Sequence, residues 1–201
     1  MRRFATDTGR LEAFSDGVLA VIITIMVLQL GAPQGTAFRS LLPTLPTLAA
    51  YALSFVFIGI YWNNHHHMLR ASRGIDGPSM WANLHLLFWL SLVPFATAWL
   101  GRNITAVAPT VVYGTLLLFN AVAYSILQHC LLAVNGRDAP FAKAVAIDRK
   151  GRLSIILYIV SIGTAFFSTI LSDVLFIAVA VMWLVPDRRF EPLIDSRRER
   201  S

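Results

Sequence analysis

Nothing between Gly17 and Leu30 is charged, and from Gly17 to Leu28 the chain is almost unbroken apolar sequence. That length suits a membrane-spanning helix and is too long for a strand. The stretch opens on Phe14-Ser15-Asp16, a hydroxyl and a carboxylate at the lip of the hydrocarbon, where an acid is expensive and asks for a partner. On a helix turning about 100° per residue, Arg10, Phe14, Gly17, Val21, Thr24 and Leu28 fall on one narrow stripe, with Ile25 at its edge. Ser15 and Asp16 point away from it. One helix therefore carries two faces, a smooth seam interrupted by a single threonine and a polar anchor at the start.

The rest of the chain agrees with a bilayer. Only 14% of the 201 residues are charged, against about 25% in a soluble domain, and the chain reads as an all-α integral membrane protein. A net charge of +6 would suggest nucleic acid in a soluble protein, but here the placement of the charges explains it and no nucleic-acid partner is expected. The lone Cys130 lies in an apolar run, which leaves no intrachain disulfide and little support for a metal or redox role. The basic start and apolar core also fit a signal peptide. Against that stand Ser15-Asp16, the length of the core, and Pro33 after Gly31-Ala32 with no small-x-small cleavage site.

Six spans are expected, at about Phe14–Leu30, Leu48–Asn64, Trp81–Leu100, Ala108–Leu132, Leu153–Leu171 and Asp173–Val185. Pro94 should kink the third. Residues 1–186 then form a single transmembrane domain, and 187–201 a basic tail. Fifteen of the 17 Lys and Arg residues lie before the first span, in the second and fourth loops, or in the tail. Only Arg39 and Arg102 fall on the other side, so both termini are expected in the cytoplasm. Asn103-Ile104-Thr105 matches a glycosylation sequon on the outer side, too close to the membrane to carry weight.

This topology gathers polar groups at one depth on the inner side. Ser15 and Asp16 start the first span there. Trp62, Asn63, His65, His66 and His67 end the second, and Trp81, Asn83 and His85 start the third. Indole, imidazole and amide N–H groups are suitable donors to a carboxylate in low dielectric, so some of them are expected to hold Ser15 and Asp16. The tryptophans also fit plain interfacial anchoring. Three consecutive histidines invite a metal, but neighbours on a helix point about 100° apart and do not converge. An acid/base pair of Asp16 with His65 or His66 is the enzymatic reading. It lacks a paired intramembrane aspartate, a serine–histidine dyad and an HExxH motif, so no enzyme is expected.

Arg10-x-x-x-Phe14-Ser15-Asp16, with GVLAVIITIMVLQL after it, IGIYWNNHH from Ile58 to His66 and NLHLLFWLSLVPFAT from Asn83 to Thr97, resembles the transmembrane protein 175 family, relatives of the lysosomal potassium channel. The resemblance is clear over the first three spans. It implies a potassium-selective channel of the bacterial inner membrane, a homotetramer of six-helix subunits with the first helix lining a central pore. It implies no TVGYG filter and no cofactor, with K⁺ and other monovalent cations as permeant partners. The family's constriction falls on Val21, its hydroxyl ring on Thr24, and Leu28 and Ile25 continue the narrow path, so K⁺ would transit near Val21 and Thr24. The FSD residues, with Arg10, Trp62, His65, His66, Asn83 and His85, would hold helices together. Two departures stand out. Valine is one methylene smaller than the isoleucine or leucine usual at the constriction, and Gln29 stands where relatives often carry an acid.

The expected mechanism is dehydration. A short apolar ring makes ions shed water, K⁺ sheds it more cheaply than Na⁺, and the threonine hydroxyls compensate in part. The competing classes are a secondary transporter, which would need broken helices and a polar midplane site, and a non-conducting membrane scaffold.

Overall fold

A computed structural model of the chain describes residues 8–72, 74–136, 142 and 148–184. Its architecture is all-helical. Helix α1 covers Thr8–Leu28, and a short 3-10 helix, Phe38–Thr44, leads into α2, Leu45–Ala71. Then come α3, Gly77–Ser91, α4, Val93–Arg102, and α5, Val107–Asn135; α6, Arg149–Thr164, and α7, Thr169–Leu184, complete the described helices. Arg2, Arg3, Arg73, Arg137, Lys143 and the whole 187–201 tail lie outside the described residues, and with them much of the charge from which orientation is inferred.

Local chemistry accounts for most boundaries. Pro46 sits in the first turn of α2, where its missing N–H costs nothing. Asp76 caps α3 by accepting from Ser79 N at 3.0 Å and from Ser79 Oγ at 2.7 Å. The third expected span carries its kink as a one-residue interruption at Leu92, whose backbone stays right-handed helical. Pro94 cannot donate to the residue four before it, the helix stops at Ser91, and α4 restarts at Val93 with the proline in its first turn. Gly136, at φ 85°, closes α5, and Asp148 starts α6 by accepting from Gly151 N at 2.8 Å.

Among the described residues, four stretches are long and apolar enough to cross a bilayer: Thr8–Leu28, Phe38–Ala71, Gly77–Arg102 and Val107–Asn135. The last two expected spans divide differently in the structure. Helix α6 ends at Thr164, residues 165–168 turn, and α7 already begins at Thr169. Each has 16 residues, or about 24 Å at 1.5 Å per residue, short of a ~30 Å hydrocarbon core.

Helix α5 packs against α3, α4, α6 and α7, while α2 packs against α1, α4 and α7. The approach of α2 to α4 needs a glycine. A Cβ on Gly101 would come within 2.7 Å of the Thr47 backbone, and Thr47 Oγ1 donates to Gly101 O at 3.1 Å. Helix α1 leans only on α2, α3 and α4 among its well-populated contacts, so one side of it stays uncovered in the single chain.

Candidate functional site: one helix with two faces

On α1 the buried positions are Leu11, Ser15, Leu19, Ile22 and Met26, spaced by three or four as a helix face requires. The apolar members join a cluster with Ile58, Leu86, Leu90 and Leu127. Opposite lie Arg10, Phe14, Gly17, Val21, Thr24, Ile25 and Leu28, all exposed. Val21 is 57% exposed and Leu28 76%, while Ile22 is 3% exposed. Thr24 is the polar interruption. Its Oγ1 donates to Ala20 O at 2.9 Å, so the hydroxyl proton stays on the helix while the oxygen lone pairs remain available on the exposed face.

The start of the buried face is tied to two helices. Ser15 is fully buried; its Oγ donates to Leu11 O at 2.8 Å and accepts from Asn83 Nδ2 at 3.0 Å. Asn83 Oδ1 in turn meets His65 Nε2 at 2.7 Å. Since the amide oxygen only accepts, that imidazole nitrogen carries the proton. Trp62 Nε1 donates to Asp16 Oδ1 at 3.0 Å. One turn earlier on α1, Glu12 pairs with His66 Nδ1. Acids at 12 and 16 thus face partners at 66 and 62, two rungs of an antiparallel ladder between α1 and α2. The Trp62 and His66 rings stack at 6.0 Å and 23°.

Two expected members behave otherwise. His85 does not reach the α1 acids. It is exposed on the side of α3 away from Asn83 and accepts from Trp89 Nε1, one turn along, at 2.8 Å. His66 pairs with Glu12 rather than Asp16, because position 62 lies opposite 16. Glu12 was not expected, although its place four residues before Asp16 puts both acids on one helix face and was signal enough. Among the described residues no group of three or more His, Cys, Asp and Glu side chains is placed to hold a metal ion.

A second polar knot also lay outside expectation. Ser54 Oγ on α2 meets Thr97 Oγ1 on α4 at 2.7 Å and Tyr113 Oη on α5 at 2.8 Å, all three buried. Tyr113 belongs to the string Thr110–Thr115, TVVYGT, a distant echo of a potassium filter sequence. It is helical throughout, inside α5, so its carbonyls are engaged in the helix.

The model of the family described as "Endosomal/lysosomal potassium channel TMEM175" matches residues 10–94, from the arginine at the start of α1 to the proline of the α3–α4 break. A protein of Chryseobacterium sp. (strain P1-3) named a potassium channel is 48% identical over 183 residues, covering 91% of this chain and 95% of that protein. The chain belongs to the TMEM175 family. A Streptomyces collinus relative, also named a potassium channel, is 33% identical over 81% of this chain and 84% of its own length. The crystal structure of a lysosomal potassium-selective channel TMEM175 homologue from Chamaesiphon minutus superposes with a TM-score of 0.78 at 31% identity, over 89% of this chain and 96% of that one. Membership makes this a membrane protein of an ion-channel family, and the two-faced α1 lies inside the matched region.

Proposed function

We propose that four copies of this chain form a potassium-selective channel, with the exposed stripe of α1 from each copy lining a central path. The observation that carries the reading is the uncovered face of α1, apolar at Val21, Ile25 and Leu28 and polar only at Thr24, on a helix whose opposite face is buried and anchored. Names of the relatives support K⁺ as the permeant ion. Val21 forms the narrowest ring. Ions pass it largely dehydrated, which favours K⁺ over Na⁺, and four Thr24 oxygens turned toward the axis replace part of the lost water. No TVGYG loop takes part. No cofactor or catalytic step enters. Arg10, Phe14, Ser15, Asp16, Trp62, His65, His66 and Asn83 hold or flank the helix start, and the ladder fixes which face of α1 looks inward. Both termini lie in the cytoplasm of a bacterium, with the protein in the inner membrane.

Planar-bilayer recording tests this. Unitary current steps are expected, with a K⁺/Na⁺ bi-ionic reversal potential on the K⁺ side. Val21→Ile should lower conductance and sharpen preference. Flux without resolvable unitary steps would favour a transporter, and no flux at all a scaffold; either result sinks the channel reading.

A further inference from the structure

A second candidate site lies away from α1. A cavity of about 410 Å³ lies between α2, α5 and α6, with Trp183 of α7 at its wall. Its size falls within the range of small-ligand sites. Phe57, Tyr61 and Tyr158 give it aromatic walls. Gln128 from α5 also lines it, and this side chain is 1% exposed with no hydrogen-bond partner for Nε2 among the described residues. An amide that presents two donors to an apolar enclosure at bilayer depth selects for an oxygen acceptor. Arg152, near the start of α6, lines the same cavity, and Lys150 lies 5.7 Å above the Trp183 ring. Asp148 lines it too; its Oδ1 caps Gly151 N and its negative charge stays beside Arg152 and Lys150, which leaves this end of the cavity with two cations to one anion.

We propose that this cavity takes one acyl chain of an anionic phospholipid from the inner leaflet, with an ester carbonyl accepting from Gln128 and the phosphate beside Arg152. The three parts of such a lipid match what the walls offer: apolar rings for the chain, an unpaired donor for the ester, and a cation for the phosphate. Anionic lipids gather at the cytoplasmic surface and attract juxtamembrane Lys and Arg. The inference rests on the cytoplasmic orientation of the α5–α6 end and not on conduction, so a silent channel would leave it intact.

The test is native mass spectrometry of protein released from nanodiscs made of equal phosphatidylglycerol and phosphatidylethanolamine. Wild type should retain phosphatidylglycerol in preference. Gln128→Leu keeps the volume, removes the donors and should cut retention about fivefold, the weight of one hydrogen bond. Arg152→Gln should erase the headgroup preference while leaving some lipid bound. Ala121→Phe fills the cavity with an apolar ring while leaving Gln128 and Arg152 in place, and should expel the lipid even if Gln128→Leu proves unstable. Wild type without bound lipid, meaning that water alone satisfies Gln128, overturns the proposal. So does undiminished retention in Ala121→Phe, or an unchanged headgroup preference in Arg152→Gln.

Discussion

Helices α1 and α7 both leave an apolar stripe uncovered, with the same spacing and different chemistry. On α7 the exposed positions include Ile170, Val174, Ile177, Val181 and Leu184, a stripe of branched aliphatics with no polar member. On α1 they include Gly17, Val21, Thr24 and Leu28, the same steps of three and four, broken by a glycine and a hydroxyl. Acyl chains reward the first pattern everywhere along its length. They give nothing back for a threonine, which suits a face that meets ions or another protein surface. The two helices differ again at their edges. Helix α1 begins in a ladder of acids bonded to α2 and a buried serine bonded to α3, so its rotation about its own axis is fixed. Spacing alone does not distinguish the two stripes; the anchor and the interruption do, and they are what the proposed conducting role of α1 rests on.

The largest effect is expected at the anchor. Asn83→Leu strands the buried His65 Nε2–H and takes from Ser15 Oγ the bond it accepts, while its bond to Leu11 O remains. The unpaired donor and the lost hydrogen bond together cost about 2–4 kcal/mol. Ile177→Leu on the α7 stripe should stay within about 0.5 kcal/mol. Thermal unfolding in mild detergent, followed by size exclusion, measures both. Equal midpoints would mean that the Ser15–Asn83–His65 chain is not what orients α1, and the contrast between the helices would lose its cause.

Matched asparagines sharpen the contrast. Ile177→Asn puts an amide against acyl chains, and about 1–3 kcal/mol of stability should go with it. Val21→Asn should leave stability nearly unchanged, raise unitary current and erode K⁺/Na⁺ discrimination, because a polar ring wets more easily. Parallel unfolding curves and bilayer recordings read the pair. If Val21→Asn destabilises as much as Ile177→Asn and carries no extra current, both stripes face lipid.

Much of this organisation is legible in residue order, and the parts that are not have definite physical causes. Asp16 announces a partner because a carboxylate in an apolar run must have one, and Trp62 stood at the right depth. The break at Pro94 follows from a missing N–H. By contrast, Ser54, Thr97 and Tyr113 are single hydroxyls in separate apolar runs, and only packing brings them within 2.8 Å of Ser54 Oγ. The α6–α7 boundary hid for a different reason. Residues Ala165 to Ser168, AFFS, contain neither glycine nor proline, so an apolar turn reads as more helix. It is held instead by Ser168 N donating to Thr164 O at 2.8 Å and by the Ser161–Ser172 hydroxyl pair at 2.7 Å. His85 misled because depth was visible in the order of residues but direction was not. It lies at the level of the network on the wrong side of α3.

A smaller effect is expected at the ladder itself. Asp16→Ala frees the Trp62 indole, which is half exposed and can find water, so about 1 kcal/mol is the expected loss. Assembly by size exclusion should weaken while the reversal potential stays put, since Asp16 lies off the exposed stripe. A normal oligomer with altered permeability would move Asp16 into the conducting path and undo the division of α1 into two faces.

The smallest effect, and the most diagnostic of the stripe, belongs to Thr24. Its hydroxyl proton is held by Ala20 O, so what it offers to a passing ion is lone-pair density. Thr24→Val replaces that oxygen with a methyl of the same shape. Stability should scarcely move, because an exposed bond back to the helix contributes little, whereas each K⁺ would lose an oxygen from every copy around the axis. The hydroxyl's part in K⁺ over Na⁺ preference is expected at about 0.5–1 kcal/mol, or roughly two- to fivefold in permeability ratio. Bi-ionic reversal potentials on Thr24→Val, with Thr24→Ser as the variant that restores the oxygen, decide it. Recovery in serine ties selectivity to the hydroxyl. An equal shift in both variants would assign it to side-chain volume, and no shift in either would place the discriminating ring elsewhere on α1.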